Sequence, residues 1–357
     1  MSLHTVVWDA FSASVGKALR KFETLLIPLT DIQSEAVLGA LRRVATARGT
    51  LELTDADRRA LDAFEEIVLR RGAPLDVDAL PDTTPARLAS VLRDAGTREN
   101  VVQFLVVMAL VDGVVDKGRI AIVEEYAKRL GVQEDAVCQL AELGRGNLAW
   151  VRADAQRQNL SSITGHELTL PLDEWILPYR DDHADQDLAD RYRALGALPA
   201  GSLGRTFFEF YRVNGFAFPG EPNGVNERFA TPHDTTHVLS GYSISPQGEL
   251  LVSTFTAGMH PREPMSGHIL PVIISWHLGI ELVRFAGSTT GQLDAAKFWN
   301  AWERGAEVTT DVFSGSWDFW AVAPRPIDAL RAAYRVPPLE QAYAADDHMP
   351  AWYHPVS

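Results

Sequence analysis

The chain has 357 residues, 46% of them hydrophobic and 22% charged, and a formal net charge of −14. That length suits two domains better than one small core, and the composition is globular, not disordered. The acidic balance excludes a general nucleic-acid-binding surface, and a lone cysteine, Cys138, excludes an internal disulfide and a cysteine metal cluster.

The first 150 residues read almost wholly as helices. The basic run at 17–22 (Lys17, Arg20 and Lys21 around Leu19 and Phe22) fits a bundle helix better than an interfacial one. Thr54 is placed to cap a helix, with Asp57 at its third position. Leu61, Phe64, Val68 and Leu69 then follow at helical spacing up to Gly72. Residues 101–111 are apolar nearly all round, which predicts a central buried helix that breaks at Asp112-Gly113. Asp116 caps the next helix, which carries Ile120, Val123, Ala127 and Leu130 and stops at Gly131. Cys138, among Ala136, Val137 and Leu140, reads as a small apolar filler.

Residues 166–197 hold Pro171, Pro178 and the acidic stretch from Asp181 to Asp187, the pattern of a connector. Ser202 then caps a helix with Leu203, Phe207, Phe210 and Tyr211 on one stripe. The expectation is an all-α protein of two helical domains, 1–165 and 198–345, joined by a linker at 166–197. No leader pattern opens the chain, and its best apolar stretch, 269–282, is interrupted by Pro271, His277 and Glu281. It also falls short of the roughly 18–20 residues of a membrane span. The expected location is cytoplasmic, or peripheral on the inner face of the cytoplasmic membrane.

The most informative motif is His233-Asp234-Thr235-Thr236-His237, followed after eleven residues by Glu249. Histidines at i and i+4 share one helix face. Thr231 and Pro232 read as cap and first helical residue, and Gly241 as the stop; Ser245-Pro246 repeats the start pattern. His237 is four residues before Gly241 and Glu249 four after Ser245, so each lies ~6 Å from the bend of a helical hairpin. His233, Asp234, His237 and Glu249 are therefore candidate ligands of one divalent metal. The plain alternatives are Asp234 and Glu249 as capping charges near helix starts, and the histidines as a half-buried pair. Asp234 in place of the glutamate of His-Glu-x-x-His argues against a protease. No catalytic residue is assigned.

This His-Asp-x-x-His-x11-Glu motif resembles that of the ubiquinone (coenzyme Q) biosynthesis family formed by the fourth of the Coq proteins. The likeness extends to Leu198-Pro199-Ala200-Gly201-Ser202-Leu203-Gly204-Arg205, the aromatic run from Phe207 to Gly215, Arg228, Gly248-Glu249-Leu250 and Pro264-Met265. It covers roughly residues 186–340. The resemblance implies an all-helical domain that holds a divalent metal, usually zinc, at His233, Asp234, His237 and Glu249. It implies a role in organising quinone-biosynthesis enzymes, or in replacing carboxylate by hydroxyl at ring carbon 1 of a prenylated hydroxybenzoate. Its implied partners are a prenylated quinone precursor or another isoprenoid lipid, the other enzymes of that synthesis, and the membrane surface; a homodimer is compatible with it. No flavin or nicotinamide fingerprint is present. The competing readings are a scaffold with a structural metal and a stress-response or lipid-binding module.

In the N-terminal half, residues 109–116 (Ala-Leu-Val-Asp-Gly-Val-Val-Asp) resemble the TerB-like domain of tellurite-resistance proteins. That group carries an acidic cluster, but Arg119 stands where an acid is common, which argues against a metal there. His260, His268 and His277, spaced by eight and nine, offer no i, i+4 pair and so no second metal site. The later part of 259–285 reads either as a groove lining for an isoprenoid tail or as a plain core helix. Trp299, Trp302, Trp317 and Trp320 suit core packing first and a membrane-facing or partner-facing patch second.

Overall fold

Residues 29–71, 75–165, 172–180, 183–282 and 287–347 are described by the computed structural model, and among them there is no β-strand. The basic run at 17–22 and Gly72 lie outside the described residues. In the N-terminal half the local signals act as read. Helix α1 (Asp31–Ala45) starts at a Thr30–Gln33 capping box. Helix α2 (Asp55–Ala63) starts at a Thr54–Asp57 box and runs on as a π-helical turn, Phe64–Val68. After α3 (Pro85–Val91), α4 (Ala95–Met108) carries fully buried Val101, Val102, Phe104, Leu105, Val106 and Val107. It ends three residues short of 111, and Gly113 turns the chain at φ +78°. Asp116 caps α5 (Lys117–Leu130), and Gly131 stops it in the left-handed conformation. Helix α6 (Asp135–Arg145) corrects one expectation. Its buried stripe is Ala136, Gln139, Leu140 and Leu143, which leaves Cys138 on the outer face, exposed rather than filling the core.

The remaining helices are α7 (Leu148–Thr164), α8 (Leu172–Ile176), α9 (Gln186–Ala194), α10 (Leu203–Asn214), α11 (Glu227–Ser240), α12 (Pro246–Met259), α13 (Leu270–Trp276, after a π-helical turn at Pro264–Ile269), α14 (Ala295–Glu307), α15 (Phe319–Val322) and α16 (Ile327–Tyr334). None of the described helices is long and apolar enough to cross a membrane. Helix α13 is a core helix, with Ile273 and Ile274 fully buried.

One apolar cluster runs from Ala36 to Ala345 and includes Tyr192 and Leu195 from the 166–197 stretch. Its centre is aromatic and draws on both halves. Trp299 of α14 lies edge-on to Phe64 and Phe104 at 5.2 and 5.6 Å, and Trp302 meets Phe104 at 5.4 Å. The Trp299 indole donates to the Ala60 carbonyl of α2. Trp317 and Trp320 are half-buried at the edge of the same core. Helix α14 also seats α12. A Cβ on Gly258 would fall 2.4 Å from the Trp302 carbonyl oxygen, and one on Gly305 would fall 2.0 Å from that of Phe255. Only glycines at this crossing let the two backbones come so close.

A histidine ties the halves a second time. His277 Nδ1 accepts from the Leu293 backbone N–H at 3.2 Å, so its proton is on Nε2, 3.1 Å from the Val111 carbonyl it donates to. A second proton on this ring would face the Leu293 N–H, and burial lowers its pKa below the ordinary 6.5 against the pull of the Val111 carbonyl and Asp112. A lowered folded-state value means stability is fully present above pH 6.5 and lost as pH falls below it. His277→Gln is expected to flatten the acid limb of stability against pH by at most about 1.4 kcal/mol per pH unit. Urea unfolding at pH 5 to 8 checks this: equal slopes in both proteins would exclude His277 as the source.

Candidate metal centre

Helices α10, α11 and α12 build the site. Helix α11 starts earlier than its sequence suggests. Asn226, not Thr231, is the cap; its side chain accepts from the Arg228 N–H and donates to the Trp175 carbonyl. Pro232 therefore lies inside the helix instead of at its first position, at the cost of one backbone hydrogen bond. The consequence for Asp234 is direct. It lies two turns into the helix, too deep to act as a capping charge. Gly241 ends α11 at φ +88°, and Ser245 caps α12 with Pro246 at its first position, as read. Gly248 presses against the connecting turn: a Cβ there would sit 2.1 Å from the Ser243 carbonyl oxygen. Its bareness brings Glu249 up to α11.

The two imidazoles and the Glu249 carboxylate converge. His233 Nε2 and His237 Nε2 are 3.3 Å apart; His233 Nε2 is 3.4 Å from Glu249 Oε2, and His237 Nε2 is 3.4 Å from Glu249 Oε1. Four donors held tetrahedrally at zinc-to-nitrogen and zinc-to-oxygen bond lengths stand about 3.3–3.4 Å apart. Asp234 offers an oxygen to the two histidines: one donor atom each of His233, Asp234 and His237 lies within 4.8 Å of the others, a group that does not include Glu249. The donor set, neutral nitrogens with carboxylate oxygens, suits a borderline cation such as zinc.

Each donor is held from behind. His237 Nδ1 is 2.9 Å from the Tyr242 carbonyl oxygen, which can only accept, so Nδ1 bears the proton and Nε2 presents its lone pair to the centre. Phe210 stacks on His237 and Phe229 on His233. The buried Tyr211 hydroxyl donates to Asp234 Oδ2. Exposure rises from 1% at the His237 side chain to 19% at His233 and 26% at Glu249, so the cluster is closed behind and open towards solvent.

The Glu249 carboxylate and the imidazoles favour one another's charged forms, so a cation would have to displace the proton that His237 takes up. Burial works against the Glu249 carboxylate, but His237 and His233 outweigh it and bring its pKa down to about 2. Burial likewise opposes protonation of His237, and Glu249 overrides it and raises the value. Burial raises Asp234, and raises Tyr211 well above the ordinary phenol value.

His260 and His268 form a second polar group, close enough to the first for His233 to act on His268. His260 Nδ1 pairs with Asp311 at 2.9 Å, and His268 Nε2 lies 2.6 Å from Ser162 Oγ at the end of α7. Burial, then His260, lowers His268 to about 3. Tyr211 is not legible as a site residue from spacing, because it falls on the apolar stripe of α10. A buried tyrosine needs a partner for its hydroxyl, and that requirement was the available signal.

No family model, no curated protein and no solved structure matches the chain.

Proposed function

We propose that the chain is a metal-binding, membrane-peripheral protein of lipid-quinone metabolism that acts on a prenylated quinone precursor. The observation that carries this reading is the convergence of the His233 and His237 Nε2 atoms, 3.3 Å apart, on the Glu249 carboxylate, which sets a different oxygen 3.4 Å from each. The resemblance of the same residues to the ubiquinone-biosynthesis motif supplies the substrate class. His233, His237 and Glu249, with Asp234 beside them, would hold the cation. A divalent cation there supplies Lewis acidity to a carboxylate or phenolate oxygen.

The chain's own residues do the rest. The Tyr242 carbonyl fixes the His237 tautomer, and Tyr211 holds Asp234 through its hydroxyl. The rings of Phe210 and Phe229 exclude water from the back of the imidazoles. Apolar side chains reach the surface nearby: Phe216, packed on Phe210 and Tyr211, is 40% exposed and Val213 is 53% exposed. They suit an apolar substrate or a bilayer surface.

The test is complementation of a strain lacking the protein, with extraction of quinone and its aromatic precursors. Wild type is expected to restore quinone. His237→Ala is expected to leave the precursor accumulated while the variant still folds and keeps its partners. Loss of folding or of assembly in the variant would favour the scaffold reading, and unchanged quinone in the deletion strain would remove the proposal.

A further inference from the structure

The C-terminal end of α11 presents an accounting problem with an informative answer. The last four carbonyls of a helix have no partner within it. Here His237 O accepts from the Gly241 N–H at 2.9 Å. The other three are taken by two arginines from elsewhere in the chain. Arg331 of α16 donates from Nη2 to Val238 O at 2.8 Å and from Nε to Leu239 O at 3.1 Å. Arg304 of α14 donates from Nη2 to Ser240 O at 3.0 Å and to Pro337 O at 2.8 Å.

The Arg304 guanidinium also lies 5.2 Å from the centre of the Tyr242 ring and 5.4 Å from that of Phe255. One side chain thus touches the end of α11, the turn and α12. This is an expensive way to finish a helix. Arg304 is buried, and among the described residues its Nε and Nη1 meet no acceptor. A left-handed glycine, already present in Gly241, ends many helices without such help.

We infer that Arg304 and Arg331 are positioning residues of the candidate metal centre, a cationic clamp that fixes where α11 ends and hence how His237 meets Glu249. The link is short. The clamped carbonyls, Val238 to Ser240, directly follow His237, and Tyr242, under Arg304, carries the carbonyl that orients the His237 ring. Their charge also complements the negative end of the α11 dipole. Arg331 supplies a planar fork that two successive carbonyls can share, and a lysine cannot reproduce it.

This inference rests on the metal reading, and the test separates the two. Full-length wild type, Arg331→Gln, Arg331→Lys and Arg304→Lys are titrated with cobalt(II) as the probe against a competing chelator. The visible spectrum and thermal melting are recorded alongside. Wild type is expected to bind one cobalt with the strong visible band of a tetrahedral site. Arg331→Gln is expected to bind about 10-fold more weakly or worse, the usual cost of losing an outer partner of a metal ligand, with an altered band and a preserved fold. Arg331→Lys, which keeps the charge but not the fork, should recover part of the affinity.

Wild-type protein that takes up no cobalt overturns the metal reading itself. Wild type that binds, beside arginine variants with unchanged affinity and spectrum, overturns the clamp alone. Should Arg331→Gln fail to fold, the lysine variants decide: wild-type spectra in both would overturn the inference.

Discussion

Full-length protein equilibrated with zinc is expected to carry close to one ion per chain, and a Glu249→Gln variant very little. The glutamine keeps the shape of the side chain and removes the charge of one of the three groups that stand 3.3–3.4 Å apart. Loss of a ligand should cost well over the roughly 10–100-fold in affinity that loss of a supporting hydrogen bond costs. The competing account makes Glu249 a charge in the first turn of α12, worth about 0.3–1 kcal/mol and indifferent to metal. The two accounts predict different things from one pair of samples. If Glu249 only balances the helix dipole, metal content is the same in both proteins and melting shifts slightly. If Glu249 is a ligand, metal content collapses. Zinc at 100 times its Kd should then add about 2.7 kcal/mol of stability to wild type and much less to the variant. Equal zinc in the two proteins would end the metal reading of this residue.

What the sequence made legible was local. Thr54, Asp116, Ser202 and Ser245 cap helices where their spacing predicts, and Gly131 and Gly241 stop them, because these signals act within one turn. The approach of Glu249 to His233 and His237 was also legible, since it follows from helical rise and two helix ends. Long-range effects were not. Asn226 displaced Thr231 as the cap of α11 because its side chain also bonds the Trp175 carbonyl, 51 residues away in sequence. Cys138 was misjudged because composition shows an apolar neighbourhood but not which face of α6 the core takes. The partners that hold the site, Tyr211, Arg304 and Arg331, come from three other helices, and no spacing rule links them to His237. Trp299 belongs to the same class: its place between Phe64 and Phe104 depends on how the two halves pack.

Arg119→Ala is expected to be the most damaging single substitution in the N-terminal half. The Arg119 guanidinium is 1% exposed and bonds both oxygens of Asp57, at 3.1 and 3.0 Å, while Nη1 also reaches Asp112 at 3.1 Å. Asp57 is fully buried and Asp112 is half-buried. Here the cation between a buried acid and a half-buried one is a side chain of the protein itself. Its removal leaves two carboxylates facing each other without a counter-charge, and breaking such a set costs about 3–5 kcal/mol.

The pH dependence then identifies the cause. Burial already raises the Asp112 pKa against the pull of Arg119, and loss of Arg119 removes that opposition. A folded-state carboxyl raised above its unfolded value takes up protons on folding, so stability increases as pH is lowered towards that value. The alanine variant should therefore regain part of its loss in urea unfolding between pH 7 and pH 5. A cavity left by a missing side chain would cost the same at both. Adding Asp112→Asn to Arg119→Ala is expected to recover stability at pH 7, because an amide removes the repulsion that the lost arginine no longer balances. A double variant no more stable than the single one would mean that Arg119 works through packing and not through charge.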